Sequence, residues 1–124
     1  MGERMLEKIR DIVNADPWLQ RKGRWVNSVF MVEAGEKRWR LTVRRGLIEA
    51  IEPGPFVMVA SDLAFRAPQS AWTEFWQPSP KPGYNDVFAL LRRRLLSIEG
   101  NQQPFMANLF YFKGVLEAPR RLPR

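Results

Sequence analysis

The sequence predicts an α+β fold: about five strands in one mostly antiparallel sheet, with helices packed on one face. Three observations carry this. Arg38 to Arg45 alternates strictly, with Trp39, Leu41 and Val43 on one side and Arg38, Arg40, Thr42 and Arg44 on the other; a period of two marks a half-buried antiparallel strand. Near the other end, a short strand over 94–99 runs through a Gly100-Asn101 turn into an apolar stretch from Pro104 to Glu117. There Phe105, Leu109, Phe112 and Leu116 fall on one helical face, and Met106, Phe110 and Val115 widen it until little polar surface remains. A helix this apolar must be covered on most sides or cover something itself. At the start, Met5, Leu6, Ile9 and Val13 share one face of a helix over 3–14.

Taken in order, Pro17 closes that first helix, and Trp18 and Leu19 are expected to pack back on the sheet. A strand rich in Val, Phe and Met follows from Trp25 to Glu33, and the stretch from Glu33 to Glu36 forms a hairpin turn. If that hairpin folds about Gly35, Val29 and Met31 join Trp39 and Leu41 on the inner face. Val26, Phe30 and Val32 then lie outside among the arginines, a contact surface suited to a homodimer. Leu47 to Ile51 is a third strand, closed by Pro53-Gly54-Pro55. The apolar run from Phe56 to Phe65 is interrupted at Ser61-Asp62, so a bend precedes a strand over Leu63 to Arg66, which Pro68 ends. Ser70 is placed to cap a helix carrying Trp72, Phe75 and Trp76 at helical spacing. The Pro-rich segment 77–83 reads as an extended loop. Asn85 caps a further helix whose Val87, Phe88, Leu91 and Leu95 face inward.

Composition narrows the function. One domain of 124 residues with 45% apolar content is long enough to bury a core. There is no cysteine and no histidine, which removes thiolate chemistry, the usual serine triad and the commonest metal ligand. No Gly-rich phosphate loop, metal cluster or nucleophile elbow occurs, so no metal or other cofactor and no catalytic residue is assigned. No apolar run approaches the length of a membrane span, and the charged start lacks the core of a secretory signal; the expected location is cytoplasmic. The net charge of +7 comes from 20 Lys and Arg scattered along the chain, with one run at 92–94. Scattered cations argue against nucleic acid and suit an acidic partner or an anionic ligand such as an acyl-CoA phosphate. Two carboxylates merit naming as acid–base candidates, Glu74 between Trp72 and Phe75, and Glu99 at the strand end. Their plain reading is structural, Glu74 facing solvent and Glu99 meeting an arginine on the sheet.

Several of these stretches together resemble one family. The ending I-E-G, polar turn, apolar helix resembles the last third of sterol carrier protein 2-type (SCP2-like) domains, and Ser61 to Trp76 resembles the family's strand and short helix. Gly35 to Gly46 resembles its early strand ending in glycine, and Pro82 to Arg120 is most similar to bacterial SCP2-like segments sometimes joined to an α/β-hydrolase. The resemblance covers roughly Trp25 to Pro119 and implies the strand order 3-2-1-4-5, with the last helix closing an apolar tunnel. It also implies a partner enzyme of hydrolase type.

A ligand site is therefore expected between sheet and helices. Val29, Met31, Trp39, Leu41 and Phe65 would form its floor, and Trp72, Phe75, Trp76 and Phe88 would close its end. Phe105, Leu109 and Phe112 would cover it, with the 77–83 loop as its mouth. Large rings either leave gaps for an apolar ligand or simply fill a solid core. Two functions stay open: a non-catalytic carrier for a sterol-like, fatty acyl or acyl-CoA molecule, and a dimeric accessory module that serves a partner enzyme. A small enzyme using a buried carboxylate is the third.

Overall fold

The computed structural model describes residues 5–56 and 61–123. Five strands form one sheet in the order β3-β2-β1-β4-β5: β1 (Asn27–Ala34), β2 (Lys37–Arg44), β3 (Leu47–Pro53), β4 (Leu63–Ala67) and β5 (Ser97–Gly100). All neighbours are antiparallel except β1 and β4, which run parallel. The sheet is thus mixed but mostly antiparallel, in the order the family resemblance implies. The helices are α1 (Arg10–Asn14), α2 (Pro17–Lys22), α3 (Gln69–Phe75), α4 (Val87–Arg92), α5 (Gln103–Ala107) and α6 (Leu109–Glu117). The expected bend before Leu63 falls partly on residues 57–60, which lie outside the described residues.

The N-terminal segment departs from the expected single helix. A 3₁₀ turn over Leu6–Lys8 precedes α1, and Leu6, Ile9 and Val13 are fully buried as the periodicity required. Pro17 begins α2 rather than merely ending its predecessor. Asp16 is the cap, its carboxylate accepting from the Trp18 and Leu19 amides at 2.9 and 3.2 Å, and proline at the first position loses no helical hydrogen bond. Only Leu19 of the pair packs inward; Trp18 is 44% exposed.

The hairpin register overturns the expected face of β1. The loop is two residues, Gly35-Glu36, with Gly35 at φ 63° and Ala34 paired to Lys37. Phe30 therefore pairs with Leu41, and Val32 with Trp39. Paired residues share a face, so Phe30 and Val32 point into the core and are fully buried, as is nearly all of Val26. Val29 and Met31 lie on the opposite face, beside the arginines. A pivot on Gly35 alone misplaces the register by one residue, and one residue flips every side chain. The proposed dimer surface built on Val26, Phe30 and Val32 is thereby removed.

Three smaller corrections concern the helices. Helix α3 starts after Pro68 with no side-chain cap, so Ser70 does not cap it. Asp86, not Asn85, caps α4, accepting the Phe88 amide at 2.7 Å. Its inward residues are Val87 and Leu90, whereas Phe88, Leu91 and Leu95 are half-buried. The long terminal helix is two helices, broken at Asn108, whose backbone (φ −130°, ψ 42°) leaves the helical region.

Candidate ligand site

The apolar side chains singled out above converge in one layer between sheet and helices. Phe65 of β4 and Phe30 of β1 meet edge to face at 5.8 Å between ring centroids. Phe112 of α6 sits over both, 5.2 Å from Phe30 and 6.1 Å from Phe65. Phe105 of α5 then closes the cluster, 5.5 Å from Phe65 and 6.0 Å from Phe112. Edge-to-face contacts let the positive rim of one ring meet the negative face of the next. Trp39 and Leu41 are buried in the same core, with the Trp39 indole N–H donating to Glu7 Oε2 at 3.2 Å. Phe112 thus rests on Phe30 and Phe65, and Phe105 on Phe65; Phe65 belongs to the expected floor, whereas the expected place of Phe30 is the other face.

At one end of the layer, the α3 aromatics are anchored by their polar edges. Trp72 and Trp76 stack at 5.2 Å. The Trp72 indole N–H donates to the Glu33 carbonyl at 2.8 Å, and that of Trp76 to the Leu116 carbonyl at 2.9 Å. Buried indoles need such partners, and these two tie α3 to β1 and to α6. Phe75 lies in edge contact with Trp72, and the Arg120 guanidinium stands 4.5 Å from its ring. Of the expected set, Trp39, Leu41, Phe65, Trp72, Phe75, Trp76, Phe105 and Phe112 share this core, while Phe88 and Leu109 lie half-buried at its margin. Val29 and Met31 are on the other side of the sheet.

Sequence reasoning placed Phe30 on the outer face and did not name Tyr111, yet both are fully buried in this core. The Tyr111 hydroxyl donates to the Gly46 carbonyl at 2.7 Å, and burial pushes its pKa well above the usual range. Its ring fits because position 23 is glycine: a Cβ there would fall 2.2 Å from Tyr111 Cδ1.

The cover over the ring cluster is thin. Helix α5 has five residues, no side-chain cap and one buried side chain, Phe105. Met106 and Phe110, expected to widen the inward face, are instead 62% and 58% exposed, because the break at Asn108 turns the two short helices so that a single continuous stripe no longer faces the sheet.

Two surface hollows accompany this core. One, of about 840 Å³, lies between the β1–β2 hairpin and Pro53–Phe56, with Glu7, Glu36, Lys37 and Arg38 among its lining. It is open, carries both signs of charge, and reaches the aromatic layer only at Trp39. The other, about 260 Å³, lies between α2 and α6 beside Trp18, Glu117 and Arg121. Burial pushes the Glu117 carboxyl up, against the opposing pull of Arg120 and Lys113. Glu74 is half-buried on α3, and Glu99 is exposed and accepts from Arg66 Nη1 at 2.8 Å, the arginine contact expected of it. Among the described residues no group of carboxylates could hold a metal ion, and no helix is long and apolar enough to cross a membrane.

Comparison with solved structures identifies the architecture. A crystal structure of sterol carrier protein 2 superposes with a TM-score of 0.77 at 12% identity, covering 96% of this chain and 95% of that one. A ubiquinone synthesis protein, UbiJ-SCP2, gives 0.58 at 15% identity over 90% and 88%. A stereoselective inverting sec-alkylsulfatase from Pseudomonas sp. gives 0.57 at 12% identity, matching 86% of this chain but 16% of the sulfatase. No family model matches the sequence, and no curated protein matches it. The chain has the SCP2-like fold, as the resemblance implied.

Proposed function

We propose that this chain is a non-catalytic carrier domain, acting as one unit in the cytoplasm, that holds a hydrophobic small molecule between sheet and helices. The observation that carries the reading is the thin cover: in the five-residue α5 Phe105 is the one buried side chain over the aromatic layer, the helix ends being held by local bonds from Asn101 and Asn108. Displacing α5 between hinges at Asn101-Gln102 and Asn108 would expose the Phe65 and Phe112 rings that Phe105 covers while leaving the strand pairs in place. A sterol-like, fatty acyl or acyl-CoA ligand would replace Phe105 there, with Leu109 at the entrance. Apolar surface contributes ~25 cal/mol per Å² before the costs of association. Likeness in fold to sterol carrier protein 2 along nearly the whole chain supports the same reading.

The test is native mass spectrometry of protein from its own host, followed by titration of delipidated protein with fatty acids, acyl-CoAs and sterols. Phe105→Ala should tighten binding or speed entry, and Leu109→Trp should block it. Absence of any bound or titratable apolar molecule in the parent and in Phe105→Ala would reject the reading.

A second reading is an accessory module delivering substrate to a partner enzyme, of hydrolase type, with or without homodimerisation. The sulfatase favours it, since there an SCP2-like unit is a small part of a larger enzyme. The face that such a partner would cover is the side of the sheet opposite the aromatic core, where the half-buried Val29 lies among the Arg40–Glu52 and Arg66–Glu33 pairs; Met31 and Ala64 on that side are already buried within the chain.

A further inference from the structure

The Pro-rich loop between α3 and α4 has little means of holding itself. Pro78, Pro80 and Pro82 offer no amide hydrogen, and within it the Tyr84 amide donates to the Lys81 carbonyl at 3.0 Å. Its tip leans on the end of α4, where the Arg93 guanidinium stands 4.9 Å from the Tyr84 ring. Both of its stems, however, meet one side chain. Arg120, in the 3₁₀ turn that follows α6, donates through Nε to the Phe75 carbonyl at 2.7 Å and through Nη2 to the Asn85 carbonyl at 3.1 Å. Phe75 is the last residue of α3, and Asn85 precedes the Asp86 cap of α4. The guanidinium also lies 4.5 Å from the Phe75 ring, its Nη1 is 3.5 Å from Glu117 Oε1, and the side chain is 16% exposed. Two neighbours on the same segment act on the same stems. The Leu116 carbonyl accepts from the Trp76 indole, and Lys113 bridges Asp86 at 2.8 Å.

We infer that Arg120 is a latch: holding both stems of the Pro-rich loop with one guanidinium, it shuts the α3 end of the aromatic layer. A guanidinium can do this because its donors lie in one rigid plane and reach two acceptors at once. The carbonyl ending α3 has no partner within its own helix, and a cation suits that end of a helix. A loop latched in this way is a fixed wall, not the mouth its composition suggests. One consequence rests on the carrier reading above: a ligand would enter at α5 and not between α3 and α4. The Lys113, Leu116 and Arg120 contacts hold α6 to α3 and α4, whereas α5 buries Phe105 alone. The latch itself is a property of the free domain.

The test is amide hydrogen exchange by NMR at fixed pH, without added ligand. In the parent, the Tyr84 amide should exchange about tenfold more slowly than the Gln103 amide, which also relies on one local bond, to Asn101 Oδ1 at 3.2 Å. Arg120→Lys keeps the charge and can reach one carbonyl but not both, so exchange at Gln77, Tyr84 and Phe88 should quicken about tenfold. The β1–β2 hairpin amides should keep the parent's rates. Arg121→Lys, at the neighbouring position and bridged to Asp16, should alter none of these sites. Unchanged exchange at Tyr84 in a folded Arg120→Lys would overturn the proposal. Equal quickening in the hairpin would overturn it too, since that is general destabilisation. If Arg120→Lys fails to fold, the parent decides: a Tyr84 amide that exchanges as fast as Gln103 overturns the latch, and a protected one supports it. None of these readouts involves cargo, so a domain that binds no apolar molecule would sink the carrier reading and leave the latch standing.

Discussion

Phe112→Ala is the sharpest probe of the aromatic layer. The ring is fully buried and touches four others, Phe30, Phe65, Phe105 and Tyr111, at centroid distances from 5.2 to 6.1 Å. Deleting a buried phenyl group loses its transfer free energy and leaves a void that surrounding structure fills only in part, about 3–5 kcal/mol in total. The upper half of that range applies here. Phe30 and Phe65 are fixed by strand pairing on both sides and cannot follow the missing ring inward. About 4 kcal/mol in a domain of this length lowers the melting temperature by roughly 15 °C. Urea titration followed by circular dichroism gives the free energy, and Phe110→Ala is the control, expected to cost under about 1 kcal/mol because its ring is mostly in water. A loss below about 1 kcal/mol for Phe112→Ala, at unchanged m-value, would refute the consolidated layer and point to a space already present beneath α6.

The remaining predictions follow from single contacts. Tyr111→Phe removes the 2.7 Å bond to Gly46, whose carbonyl keeps the Gln20 Nε2 donor at 3.1 Å; the expected cost is about 1 kcal/mol by urea titration. Phe30→Glu should yield unfolded or aggregated protein by circular dichroism, since it buries a carboxylate among rings; a folded, soluble variant would contradict the register. Asp86 gives a pH signature. Burial pushes its carboxyl up, but the Lys113 ammonium, the Phe88 amide and Arg92 together hold it below the usual range. A carboxyl depressed on folding contributes stability that is full above its unfolded pKa and lost as pH falls through the folded one. Asp86→Asn keeps the cap but loses the Lys113 bridge, so it should cost about 0.5–1 kcal/mol at neutral pH. The gap to the parent should close as the medium becomes strongly acidic.

How much was legible depended on whether a segment is sided. Strand β2 alternates apolar with arginine, so its faces could be read and are correct. Strand β1 carries Val29, Phe30, Met31 and Val32 in succession; with apolar residues on both faces, only the turn could set the register, and a two-residue Gly-first loop was the signal to weigh. The order of strands came from resemblance, since no pattern in the residues specifies that β4 pairs parallel to β1. Asp16 before Pro17 and Asp86 before an apolar run were both readable as caps. The break at Asn108 was not, because nothing there is proline or glycine and the apolar count rewards an unbroken helix. Within the site the aromatic positions were legible as inward residues. Whether they enclose a space was not, since the same rings can pack on each other or on a ligand.

The bridge from Asp16 to Arg121 spans nearly the full length of the chain, and α6 packs against α2 over a similar separation. A ribosome releases these partners in order, at about 5–20 residues per second. During most of synthesis the hairpin of β1 and β2 is complete, yet Phe30 lacks its cover, because Phe112 has not been made. The nascent domain therefore waits with its aromatic floor uncovered. Its exposure to chaperones and to neighbouring nascent chains ends only when the last turn clears the exit tunnel. Truncations shortened past Phe112 should thus be held by chaperones rather than released as smaller folded units.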